Sequence, residues 1–127
     1  MTNKLMDMEK VLKALAYHKR LDILGLLFKK KEAHVCEIAD MLELPLVTVS
    51  RNLSTLTRAN LIRARQKGSF LYYSINPNQD HFAKSILSIL KSNLAGKKYL
   101  ISYSEARLLD PRIRQSLKNF IEPEPER

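Results

Sequence analysis

The chain has no tryptophan, a single cysteine (Cys36) and only three glycines among its 127 residues. One thiol excludes an intrachain disulfide framework and any zinc site assembled from several thiolates of one chain. There is no Gly-rich phosphate loop, and no uncharged apolar run reaches the roughly 18 residues of a membrane span. The opening MTNKLMDMEK places acidic residues where a signal peptide carries an apolar core, so the expected location is cytoplasmic with no membrane partner. Catalytic chemistry is equally poorly supplied. The three histidines, His18, His34 and His81, are scattered along the chain, and no nucleophile has a recognisable base beside it, which argues against an enzyme.

What the sequence does have is positive charge: 22 Lys and Arg against 13 Asp and Glu, a net +9. A polyanion is the expected partner, and nucleic acid fits that description better once the order of elements is considered. With 45% hydrophobic and 28% charged residues, the composition is that of one compact domain. The expected division is a folded unit over 1–96 and a basic extension over 97–127. That extension has room for a short helix capped by Asp110, from Pro111 to about Phe120, and ends in the alternating Glu and Pro of EPEPER.

Hydrophobic spacing defines the elements. Leu5, Met8, Leu12 and Leu15 form one stripe of a helix over Lys4 to Tyr17. After the polar interruption at His18, Lys19 and Arg20, the run Leu21, Ile23, Leu24, Leu26, Leu27 and Phe28 is apolar around most of a second helix, which should therefore be central. Val35, Ile38, Ala39 and Leu42 give a short third helix. Pro45 forces a turn, and Val49, Leu53 and Leu56 then line one side of a fourth helix whose other faces are polar. Asn60 is suited to the left-handed residue that ends a helix. Two extended runs, Ile62 to Gln66 and Ser69 to Ile75, flank Lys67 and Gly68 as a hairpin, with Leu71, Tyr73 and Ile75 expected inward by alternation. A last helix covers Asp80 to Leu94.

Two short helices joined by a tight turn and followed by a basic hairpin are the order of a winged helix-turn-helix: a mostly α fold with a small β-hairpin, α1-α2-α3-α4-β-β-α5, plus a C-terminal extension. A helix fits the major groove of duplex DNA, and its polar side chains reach base edges there. Val47, Thr48, Ser50, Arg51, Asn52 and Thr55 are the candidate contacts. Arg51 and Asn52 lead for specificity because Arg pairs bidentately with guanine and Asn with adenine. Arg63, Arg65 and Lys67 alternate along the hairpin, share one face and suit a phosphate backbone. The competing reading is a sequence-nonspecific nucleic-acid-binding or protein-interaction module on the same fold.

The runs LKALAYHKRLDILGLL, HVCEIADMLEL and VTVSRNLSTLTRANLIRARQKGSFLYYSI carry a resemblance to the ArsR/SmtB family of bacterial winged-helix repressors, over Leu12 to Ile75. Arg20, the cluster Val49, Ser50, Arg51 and Leu53, and the hairpin residues Arg65, Gly68, Tyr72 and Tyr73 bear most of it. The resemblance implies a homodimer on an inverted-repeat operator, released by an inducer that is commonly a metal or metalloid. Its interface would join the first and last helices, here through Leu5, Met8, Leu12, Phe82, Ile86, Ile89 and Leu90.

The sequence departs from the family where such an inducer would bind. In place of the Cys-x-Cys that often opens the third helix stand His34 and Cys36. In an extended segment both could face one zinc or copper ion, but two donors are few. The plainer reading is a mostly buried, inert thiol and a surface histidine. Cys36 near a helix start also leaves a redox reading open. Asp80 and His81 lack the later His and acidic ligands of the family's other metal site. Leu46 and Val47 stand where polar groove-facing residues are usual.

Overall fold

The computed structural model describes residues 4–94, so the extension after Gly96 expected from the sequence lies outside the described residues. Eight elements follow in order: α1 (Lys4–Leu15), α2 (His18–Lys30), β1 (Ala33–His34), α3 (Val35–Leu42), α4 (Leu46–Arg58), β2 (Ile62–Lys67), β3 (Phe70–Ile75) and α5 (His81–Leu94). The five helices and the hairpin are those expected. The two-residue strand β1 is an addition.

Helix α2 is the centre of the domain. Its residues from Ile23 to Leu27 are all buried, as a helix apolar on most sides requires. Around it, α1 turns Val11, Ala14 and Leu15 inward, α3 contributes Ile38, Ala39, Met41 and Leu42, and α5 contributes Ala83 and Leu87. The first boundary differs from expectation. Helix α1 stops at Leu15, and His18, Lys19 and Arg20 form the first turn of α2 rather than an interruption before it.

Local chemistry sets the remaining boundaries. Helix α3 ends on Glu43, which takes the left-handed conformation at φ 56°, and α4 starts directly after Pro45. Leu46 and Val47 are thereby in its first turn, and both are exposed. Asn60 ends the segment after α4 at φ 63°, the conformation expected of it. At this same end of the hairpin, the side chain of Gln79 donates to the carbonyls of Asn60 (2.8 Å), Leu61 (3.3 Å) and Asn76 (2.8 Å). This clasp fixes the root of the hairpin beside α5. Asp80 then caps α5, its Oδ1 accepting from the Ala83 amide at 2.9 Å.

The sheet has the order β1-β3-β2 and is antiparallel throughout. Strand β2 pairs with β3 from Ile62 opposite Ile75 to Lys67 opposite Phe70, leaving Gly68 and Ser69 as a two-residue turn with Gly68 at φ 63°. Tyr73 and Ile75 pack against the core as alternation predicts. Leu71 does not. It shares their face but is exposed, because it pairs with Gln66 near the tip, where the hairpin has run past the helices.

Candidate nucleic-acid interface

Helix α4 is pinned by Val49, Asn52, Leu53 and Leu56, which face the interior. The opposite side presents Val47, Ser50 and Arg51 to solvent, with Thr48 and Thr55 half-buried at its margin. Thr55 Oγ1 donates to the carbonyl of Arg51 at 3.2 Å, which keeps that hydroxyl on its own helix. The result is a rigid helix with a polar, cation-bearing outer face, the form required for insertion into a major groove.

Asn52 is not part of that face, and its proposed contact with adenine is corrected. It is 6% exposed. Its Oδ1 accepts from Arg20 Nη1 at 2.8 Å and its Nδ2 donates to the Thr48 carbonyl at 2.9 Å, so the amide is occupied inside the protein. Arg20 extends the link: Nε donates to the Ala14 carbonyl at 2.6 Å and Nη2 to the Lys13 carbonyl at 3.2 Å. One guanidinium thus closes the carbonyl end of α1 and fastens it to α4. Beside this link a concavity of about 360 Å³ is lined by Tyr17, Lys19, Arg20, Thr48, Arg51, Asn52 and Thr55. Lys19 there is a further candidate cation flanking α4; spacing along the chain does not reveal it, because it falls in the polar stretch His18 to Arg20 ahead of the apolar run of α2.

On the hairpin, Arg63, Arg65 and Lys67 are exposed and alternate along β2. Cross-strand pairing puts Ser74, Tyr72 and Phe70 on the same face, opposite those three residues in turn. Lys67 Nζ lies 4.6 Å from the Tyr72 ring centroid. An acid is also present that the sequence did not single out: Glu32 accepts from Arg65 Nη2 at 2.8 Å and from Lys67 Nζ at 3.1 Å. These two hydrogen bonds, Arg65 first and then Lys67, hold its carboxyl below the usual carboxylate range.

His34 and Cys36 are not arranged as an extended pair. His34 ends β1 and caps α3: its Nδ1 accepts from the Glu37 amide at 3.4 Å, while its own amide donates to Glu37 Oε1 at 3.3 Å. The ring stacks on Phe70 at 5.0 Å and meets Tyr72 edge-on at 5.4 Å. Cys36 lies in the first turn of α3 and is exposed, not buried as expected. Among the described residues no three His, Cys, Asp or Glu side chains are grouped as metal ligands. With one imidazole nitrogen engaged in the cap, the pair does not fit the four-donor geometry of a structural zinc ion within one chain.

Residues 18–64 match the family model described as bacterial regulatory protein, arsR family. The chain is 38% identical over 70 residues to the transcriptional repressor PagR of Bacillus anthracis, spanning 55% of this chain and 70% of that protein. It is 35% identical over 71 residues to the arsenical resistance operon repressor of Bacillus subtilis, spanning 56% and 68%. Its fold matches the homodimeric winged helix-turn-helix DNA-binding domain of Mb0332 from Mycobacterium bovis with a TM-score of 0.59 and 31% identity, covering 70% of this chain and 79% of that one. The chain belongs to the arsR family of bacterial regulatory proteins, and it is a winged helix-turn-helix transcription regulator.

Proposed function

We propose that the protein is a repressor that binds an inverted-repeat operator as a homodimer. The observation that carries this reading is the division of α4 into a buried apolar stripe and an exposed face bearing Ser50 and Arg51, followed directly by the basic hairpin. Arg51 reads a base edge, with Val47, Ser50, Thr48 and Thr55 around it. Arg63, Arg65 and Lys67 hold the phosphate backbone and supply affinity without sequence information. Exposed Leu46 and Val47 suit apolar contact with thymine methyl groups.

The dimer is supported by apolar side chains that the folded chain leaves in water. Leu5 is 74% exposed, Leu12 50% and Ile89 59%, all on α1 and α5, where Met8, Phe82, Ile86 and Leu90 are only partly covered. A two-fold interface between these helices would bury them and present two copies of α4 to successive grooves. Residues 1–96 then form the DNA-binding and dimerisation unit, with 97–127 as a basic appendage. Release of the operator answers to a signal other than an ion held by His34 and Cys36 alone.

Fluorescence anisotropy on DNA from upstream of the protein's own operon tests this. Binding to one inverted repeat should be on the order of 10⁻⁸ M or tighter, and far weaker to a scrambled duplex at the same salt. Arg51→Ala should relax base preference, whereas Lys67→Ala should weaken both duplexes alike. Equal affinity of the wild type for the two duplexes would leave a sequence-nonspecific binding module as the function.

A further inference from the structure

Glu32 lies between α2 and β1, in a stretch that contributes nothing to the groove-facing helix. Its two carboxylate oxygens are divided between two cations of the hairpin, Oε2 accepting from Arg65 and Oε1 from Lys67. Arg65 and Lys67 stand two positions apart on β2 and share a face, so a single acceptor group reaches both. A DNA phosphate presents the same chemistry to them: an anion with more than one oxygen, recognised by charge-assisted hydrogen bonds. These are also the cations to which the proposed function assigns the backbone.

We propose that Glu32 is a built-in competitor for DNA phosphate, which occupies Arg65 and Lys67 in the free protein and is displaced from them when the hairpin meets the duplex. The inference rests on the reading of β2 as a backbone-contacting wing. In the free state the three side chains together carry one net positive charge rather than two. The wing therefore meets DNA partly neutralised, and each protomer binds less tightly, and with a shallower salt dependence, than its count of cations implies. The tie also leaves Lys67 Nζ 4.6 Å from the Tyr72 ring centroid, and contact with DNA exchanges the carboxylate acceptor for a phosphate one.

The competing account is that Glu32 is needed to hold the wing in its binding geometry, in which case its loss weakens binding. Glu32→Gln removes the charge while keeping the shape and an acceptor oxygen. Exposed ion pairs contribute little to stability, so the variant should fold, and circular dichroism would verify that it does. Anisotropy on the inverted repeat and on a scrambled duplex, over a series of sodium chloride concentrations, should show several-fold tighter binding of both. The slope of log affinity against log salt should steepen by about one for each protomer. Introduced into Arg65→Ala/Lys67→Ala, the same change should do much less, since the cations it competes for are gone. Glu32→Asp, too short to span both cations, should fall between wild type and Gln and serves if the Gln variant is unstable. Unchanged or weaker binding by Glu32→Gln overturns the competitor role while leaving the DNA reading intact. A wild type that binds neither duplex overturns both.

Discussion

Arg20 and Asn52 form a part-buried polar link that joins α1 to α4, and they behave as a unit. Asn52 is only 6% exposed and its Oδ1 accepts from Arg20, so truncating Arg20 removes that donor, at a cost of about 1–3 kcal/mol. Asn52→Ala should destabilise the protein by a similar amount in urea titrations, while changing base preference far less than Arg51→Ala. A loss of discrimination at one base position with unaltered stability would instead return Asn52 to the groove. Helical spacing already contained the answer, since 49, 52, 53 and 56 are i, i+3, i+4 and i+7 and place residue 52 on the buried stripe. The affinity of an amide for adenine drew attention outward, and the partner that makes burial tolerable lies 32 positions away in the chain. Cys36 went the other way. It falls off the stripe of Val35, Ile38, Ala39 and Leu42, and its exposure follows from that same spacing rather than from the usual burial of cysteine.

Among the elements, the hairpin turns on Gly68. A Cβ at that position would meet nothing within 4 Å, so the space is open and only the backbone objects. An L-residue in this left-handed conformation costs roughly 1–2 kcal/mol. Gly68→Ala should therefore act locally: faster amide hydrogen exchange at Arg65, Lys67 and Phe70, whose residues form the bonded pairs next to the turn, weaker DNA binding, and a thermal midpoint little changed because the tip extends past the core. A large fall in the midpoint would show that the tip is coupled to global unfolding. A hairpin here was readable from Lys67-Gly68 between two extended runs, as were the helices from their stripes, but the turn itself falls one residue later, at Gly68-Ser69, because Lys67 still pairs with Phe70. Strand β1 was not, because two residues are too few to show alternation and they become a strand only by pairing with Tyr73 and Tyr72. Pro45 marked a turn but gave no exact start for α4, and this left the exposure of Leu46 and Val47 undetermined until the helix was seen to begin at Leu46.

For the whole molecule, the two outward faces of α5 lie on nearly opposite sides. At 100° per residue, Phe82, Ile86 and Ile89 project together, away from Lys84, Ser88 and Lys91. The first set is the apolar one, and with Leu5 and Leu12 of α1 it is the surface assigned to the second protomer. Ile89→Glu should yield a monomer in sedimentation velocity and lose operator affinity while α4 remains folded. A dimer that survives both Ile89→Glu and Leu12→Glu would place the interface elsewhere. The order of elements and the apolar stripes were enough to anticipate this architecture, whereas the link from Arg20 to Asn52 and the tie from Glu32 to the wing depend on chain segments meeting in space. The sheet has one further consequence. With the order β1-β3-β2, no strand among the described residues pairs with the outer edge of β2, and β1 covers only two residues of β3. Open edges of this kind invite strands from other molecules to add on, a route to aggregation. Arg63, Arg65 and Lys67 make two such edges repel, so replacing them with apolar residues would cost the protein its solubility as well as its hold on DNA.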